Sequence, residues 1–201
     1  MTAVTVKPPL SPHAPDLGEE VEPATAADLL RAHRLNERSL VRVELDGDAV
    51  PGLQLVDVVI DGGTWSNLQA REARLERVEA TGLDAIGIQL PEATLHDCTF
   101  AEARLNLASF RHSTLERVAF RDCRLEEADF YGATLRSVSF ERCVLAGATI
   151  AEATFERCEL RGCELEGLVG VERLGGTRMP LADVIQLAGL LATAAGIDVV
   201  D

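Results

Sequence analysis

The chain has 201 residues and carries 33 acidic against 19 basic side chains, a formal charge of −14. That length suits one domain, or one domain with a small appendage, and an apolar content of 47% suffices for a packed core. A single lysine, Lys7, and an aromatic content of 4% argue against direct nucleic-acid binding, which needs clustered cations and stacking rings.

Residues 1–23 are rich in proline and glutamate, hold no apolar signal-peptide core, and predict a mobile segment. No apolar run approaches the roughly 18 residues needed to span a bilayer, so a soluble, cytoplasmic protein with no membrane partner is expected. Thr25 with Asp28 predicts a capping box, opening a short helix from residue 26 to about residue 35 that covers the start of the next region.

From residue 41 to residue 165 the sequence falls into 25 consecutive groups of five without a frame shift. Between 91 and 165 the fifth residue is always Leu, Phe or Ile, and the third is always small or short: Ala, Cys, Ser or Val. A helix cannot bury this pattern, because five residues advance about 500° and scatter the large side chains around every face. A flat strand fails too, since an odd repeat changes face at each unit. Short extended sides separated by corners solve both problems, with third and fifth residues pointing into a stacked coil.

These groups resemble the motif A-(D/N)-L-x-x of the pentapeptide-repeat proteins, seen in Ala103-Arg104-Leu105, Ala128-Asp129-Phe130 and Ala133-Thr134-Leu135. The likeness covers 125 of 201 residues and implies an all-β solenoid: a right-handed quadrilateral β-helix with four pentads per turn. An even number of sides is also read directly, because Leu and Phe alternate at fifth positions from 95 to 145. Four sides would stack Phe100, Phe120 and Phe140 in one column, and Phe110 with Phe130 in the opposite one. Twenty-five pentads make about six coils, a rod of roughly 30 Å. The early coils are less regular. Asp48 and Gly63 occupy inward third positions, and Leu68 and Leu83 are read as replacing the volume lost at Ala70 and Ala85. A bulge over residues 81–90 is the alternative.

An open solenoid needs a cap at each end. Beyond Leu165 the frame stops, and Pro180 and Gly196 bracket a predicted helix. Leu181, Val184, Ile185 and Leu191 lie on one apolar face, which Leu187 and Leu190 widen enough for two contacts. The helix and the alternating tail Gly196-Ile197-Asp198-Val199-Val200-Asp201 are similar to the C-terminal segment of gyrase-protecting quinolone-resistance members of the family, which dimerise there. That resemblance implies a homodimer, with Leu187 and Leu190 toward the partner subunit; a monomer with a helical lid is the other reading. The organisation expected is therefore a mobile segment with a capping helix (1–40), the β-helix (41–165), and a C-terminal helical cap or dimerisation segment (166–201).

The five cysteines, Cys98, Cys123, Cys143, Cys158 and Cys163, all occupy inward third positions and read as small buried hydrophobes. The column Cys123, Cys143, Cys163 is one-sided and lacks the convergence a tetrahedral metal needs. His96 and His112 face outward without a partner nucleophile, and no phosphate loop, dinucleotide fingerprint or zinc-protease motif is present. No catalytic residue, cofactor or metal is assigned. Thr94, Thr114, Thr134 and Thr154 form an outward ladder read as cross-strand packing.

The resemblance also implies a partner. Some pentapeptide-repeat proteins bind DNA gyrase or topoisomerase IV by presenting an acidic rod in place of duplex DNA. Residues 41–165 hold 22 acidic and 13 basic side chains. A 30 Å length of B-DNA carries about 18 charges, so the net rod charge is about half of that. The columns Asp57, Arg77, Asp97, Arg117, Ser137, Arg157 and Arg121, Glu141, Arg161 read as salt-bridge lattices with little long-range field. The most acidic surface is Glu126, Glu127 and Asp129, with Glu72, Glu92 and Glu152 on the neighbouring side. The function expected is a non-catalytic interaction protein: a gyrase modulator of the loopless mycobacterial quinolone-resistance type, or a scaffold for another protein.

Overall fold

The computed structural model describes residues 5–18 and 21–199. Its central feature is a backbone rule. At every fifth residue from Glu37 to Gly167, the second position of each pentad, φ is positive. Each such residue turns the chain through a corner, so the fold is the expected four-sided, right-handed β-helix. At two of the four corners an i-to-i+3 hydrogen bond closes the turn, as in Leu68 N–H to Trp65 O and Ala73 N–H to Ala70 O, both 3.2 Å. Most corner residues are not glycine. They accept the left-handed conformation, a cost of about 1–2 kcal/mol each, because ladder hydrogen bonds on both flanks dictate it.

The strands are β1 (Glu22–Pro23), β2 (Arg34–Val41), β3 (Gln54–Asp61), β4 (Arg74–Thr81), β5 (Thr94–Ala101), β6 (Thr114–Arg121), β7 (Thr134–Arg136), β8 (Ser139–Glu141), β9 (Thr154–Glu156), β10 (Cys158–Arg161) and β11 (Thr177–Arg178). From β2 to β10 every pairing is parallel with an offset of 20 residues, one coil. The other two sides are joined by single bridges, such as Thr64 to Asp84 and Gln89 to Ser109. Bridges continue through Asp84 and Gln89, so residues 81–90 stay in the coil and do not bulge. The pairing also begins before residue 41 and continues past 165, with β11 joining β10 at an offset of 19.

The core follows the sequence reading closely. Phe100, Phe120 and Phe140 stack at 5.3 and 5.0 Å, and Phe110 on Phe130 at 4.9 Å. The two columns meet edge-to-face, with centroids 5.8–6.4 Å apart. Leu68, Ala70, Leu83 and Ala85 are all buried, as volume compensation requires. Gly63 has a specific reason: a Cβ there would lie 2.4 Å from the carbonyl oxygen of Val43. The buried thiols donate to carbonyls of the preceding coil, for example Cys123 to Phe100 O at 3.3 Å and Cys163 to Phe140 O at 3.4 Å. Ser113 does the same to Leu90 O at 2.7 Å. Burial pushes the Cys98 thiol up to about 12 and Cys158 up to about 11. The threonine ladder is in register from Thr94 to Thr154.

Helix α1 (Ala26–Ala32) opens with the predicted capping box of Thr25 and Asp28, and its Leu29 is fully buried. It stops at His33 because Arg34 already enters β2. At the other end the single predicted helix is broken in two, α2 (Leu181–Gln186) and α3 (Ala188–Ala194). The buried Asp183 carboxylate accepts the Gly162 N–H at 2.7 Å, pinning α2 to the edge of the last coils. Residues 197–199 form no strand, and Val200 and Asp201 lie outside the described residues. No helix among the described residues is long and apolar enough to cross a membrane.

The N-terminal segment departs from expectation. It runs antiparallel to the stacking direction along one corner, held at three points. Arg157 Nη2 donates to Pro8 O at 3.3 Å, and His13 N–H and Asp16 N–H donate to Asp97 and Asp57 at 3.0 and 2.8 Å. Its prolines preset an extended backbone, so docking it on the rod forfeits less chain entropy than docking an ordinary tail would.

Candidate functional site

Each coil has corners at four positions, and the six candidate carboxylates cluster about two of them. Glu127 sits at one corner with Glu126 beside it, Asp129 lies on the adjoining side, and Glu72, Glu92 and Glu152 belong to the next corner. Within that last column Glu72 and Glu92 are neighbours, but His112 and Gly132 separate them from Glu152.

Arginines reach most of these groups. Arg71 contacts Glu72 at 3.2 Å and Glu92 at 2.6 Å. Arg124 pairs with Glu126 at 2.7 Å, Arg111 with Asp129 at 2.6 Å, and Arg173 with Glu152. Among the described residues only Glu127, exposed at its corner, has no ion-pair partner in the set. Burial pushes the Glu126 carboxyl up, but Arg124 and the Asn106 amide at 2.6 Å outweigh it and hold the group below the usual carboxylate range. Arg111 also lies 4.6 Å over the Tyr131 ring, placing a cation inside the acidic face. Reading the sequence by columns missed these arginines. Arg71–Glu92, Arg173–Glu152 and Arg111–Asp129 are 21, 21 and 18 residues apart, so they connect neighbouring coils diagonally.

The lattices also differ from the expected columns. Asp57 with Arg77, and Asp97 with Arg117, form closed two-point pairs at 2.6–3.0 Å. Arg121, Glu141 and Arg161 do not alternate as a lattice, because Glu141 pairs with Arg142 and Arg161 with Glu159. Local partners are nearer than those one coil away.

A family profile described as "Pentapeptide repeat region" matches residues 73–150, a stretch in which the backbone rule and the third- and fifth-position core both hold. Those residues are a pentapeptide-repeat region. No curated protein sequence matches the chain. Solved structures similar to this chain include full-length QnrB1, a plasmid-mediated fluoroquinolone resistance protein. That likeness has 16% identity and a TM-score of 0.36, covering 82% of this chain and 90% of that one. HetL, a pentapeptide repeat protein involved in heterocyst differentiation regulation from the cyanobacterium Nostoc sp. strain PCC 7120, is similar at 18% identity and a TM-score of 0.35. It covers 79% of this chain and 98% of its own.

In the C-terminal cap the apolar residues sort differently from expectation. Leu187, expected to face a partner, is 1% exposed and belongs to the core, with Leu190 and Leu191 packed beside it. Leu181 and Ile185 are 74% and 64% exposed, and Val184 is exposed with them. The break at Leu187 turns the two short helices so that α3 closes the rod and α2 offers its apolar strip outward. No group of three or more His, Cys, Asp or Glu able to hold a metal occurs among the described residues.

Proposed function

We propose that this pentapeptide-repeat protein is a non-catalytic interaction protein. In this reading it presents the face around Glu126, Glu127 and Asp129 to DNA gyrase or topoisomerase IV in place of duplex DNA. The result is tolerance to quinolones or to a natural gyrase poison, in the cytoplasm where those enzymes work. The observation that supports this is placement: the six carboxylates lie about two adjacent corners of the β-helix, and the one at Glu127 is diagonally opposite the docked N-terminal segment. Purified protein should inhibit supercoiling by the cognate gyrase or rescue it from ciprofloxacin, and Glu127→Lys should weaken the effect. Unchanged supercoiling with and without the drug refutes the proposal.

A second reading, a scaffold for a different protein, is favoured by the four arginines that pair with five of the six carboxylates. Recovery of a specific protein other than gyrase or topoisomerase IV from the source cell would select it. We also propose a homodimer through the C-terminal segment, using Leu181, Val184 and Ile185 in place of Leu187. Ile185→Asp should then halve the sedimentation mass, and an unchanged mass removes α2 from the interface.

A further inference from the structure

The corner that carries Asp57, Arg77, Asp97, Arg117, Ser137 and Arg157 differs from the other three. At those three, charged corner residues such as Glu72, Glu92, Glu102, Asp122, Glu127, Arg142 and Glu152 are all exposed. Here none of the six is exposed, and Asp57, Asp97 and Ser137 are buried at 6%, 3% and 6%. Glu37, one coil below Asp57 on the same corner, is exposed. The covered stretch coincides with the reach of the docked segment, from its contact at Asp57 to its contact at Arg157.

The segment's burial pattern has the period of a polyproline II helix. Between 5 and 16 its half-buried residues are Val6, Pro9, Pro12 and Pro15, a spacing of three, while those between them are exposed. Three residues make one turn of polyproline II, a rise of about 9.3 Å, and two coils of the rod rise about 9.6 Å. The contacts obey this match. His13 and Asp16 are one turn apart, and their acceptors Asp97 and Asp57 are two coils apart. From Pro8 to Asp16 eight residues rise about 25 Å, against about 24 Å for the five coils from Arg157 to Asp57. Each donor N–H directly follows a half-buried proline, so the strip reads a pattern: proline, then a residue that keeps its N–H, then any residue. The acceptors are fixed in advance, because Arg77 and Arg117 clamp both oxygens of Asp57 and Asp97. Arg157 Nε is buried without a partner, leaving a donor beside the Pro8 carbonyl.

We propose that this corner is a binding site for proline-rich peptides in the polyproline II conformation, spaced P-x-x-P-x-x-P, and that residues 6–17 occupy it in cis as a displaceable strap. A peptide from another protein with the same spacing gains the site only by displacing the strap. The full-length double variant His13→Pro/Asp16→Pro tests this, since it keeps the extended backbone and removes the two N–H donors together with the His13 Nδ1 contact to Asp97 at 3.1 Å. A fluorescent peptide of residues 5–18 should bind the double variant at least about tenfold more tightly than the parent, whose tethered strap competes at an effective millimolar concentration. The same peptide carrying the two prolines should not bind. Equal binding of the two peptides, or no binding to a folded double variant, overturns the proposal. A second measurement uses the parent alone. Hydrogen exchange at its own His13 and Asp16 amides should be slow and should accelerate with excess peptide; fast exchange, or slow exchange that excess peptide leaves unchanged, equally overturns it.

Discussion

The corner running from Asp57 to Arg157 and the diagonally opposite one, from Gly47 to Gly167 through Glu127, share one backbone. Both place every second pentad residue at positive φ, and both step by one coil. Their chemistry differs completely. One buries clamped carboxylates beneath a strap, and the other leaves Glu127 and Leu107 in water, the latter 54% exposed. The repeat therefore dictates conformation but not environment. Environment comes from what lies outside the coil.

Substitutions at paired positions should separate these two contributions. The largest effect is expected at Asp97, where alanine would take from the Arg117 guanidinium, 17% exposed, its two-point partner, leaving it Glu116 as carboxylate partner, and free the His13 N–H. We expect a loss of about 3 kcal/mol, as for one partner removed from a buried pair, read as a drop in the urea midpoint. Glu127→Ala on the opposite corner should change stability by less than about 0.5 kcal/mol. Next in size is Gly47→Ala on the bare corner. Its φ is +72° and no atom lies within 4 Å of the added methyl, so the cost, about 1 kcal/mol, is purely conformational.

The smallest effect is expected in acid. Hydrogen bonds from the Arg77 side chain hold the Asp57 carboxyl low against its burial, helped by the Asp16 N–H. At Asp97 burial pushes up, but Arg117 and His13 outweigh it and leave the group well below the usual range. His96 Nδ1, 2.9 Å away, faces the same carboxylate. Groups with lowered folded pKa values bind protons less readily when folded, so their contribution is complete above the ordinary value of about 4 and fades as the pH falls through the lower folded values. Below about pH 4 the urea midpoint of the parent should fall more steeply than that of Asp97→Asn. Parallel curves would mean that Asp97 titrates alike in both states.

Much of this was legible in the sequence because it is periodic. The phenylalanine columns, the threonine ladder, the capping box at Thr25 and Asp28, and the replacement of volume by Leu68 and Leu83 all follow from spacing alone. What spacing could not supply was contact between parts with different periods. Arg71, Arg111 and Arg173 reach diagonally between coils, so reading down columns left the acidic face more acidic than it is. The end of the rod hid its logic too: Asp183 is buried and bonded to Gly162, and Leu187 is buried where the predicted helix breaks. The strap was visible only as a period of three, and a proline-rich tail is ordinarily read as solvated.

The near-equality of one strap turn and two coils constrains how such a chain can change length. A duplicated block of 20 residues preserves every ladder in the rod, yet it displaces the strap by about 1.6 residues, a fraction no insertion can match. Duplicating 40 residues requires about three more in the strap, a whole turn. A lineage that keeps its strap docked should therefore gain or lose coils in pairs, while one that has discarded the strap is free to vary them singly.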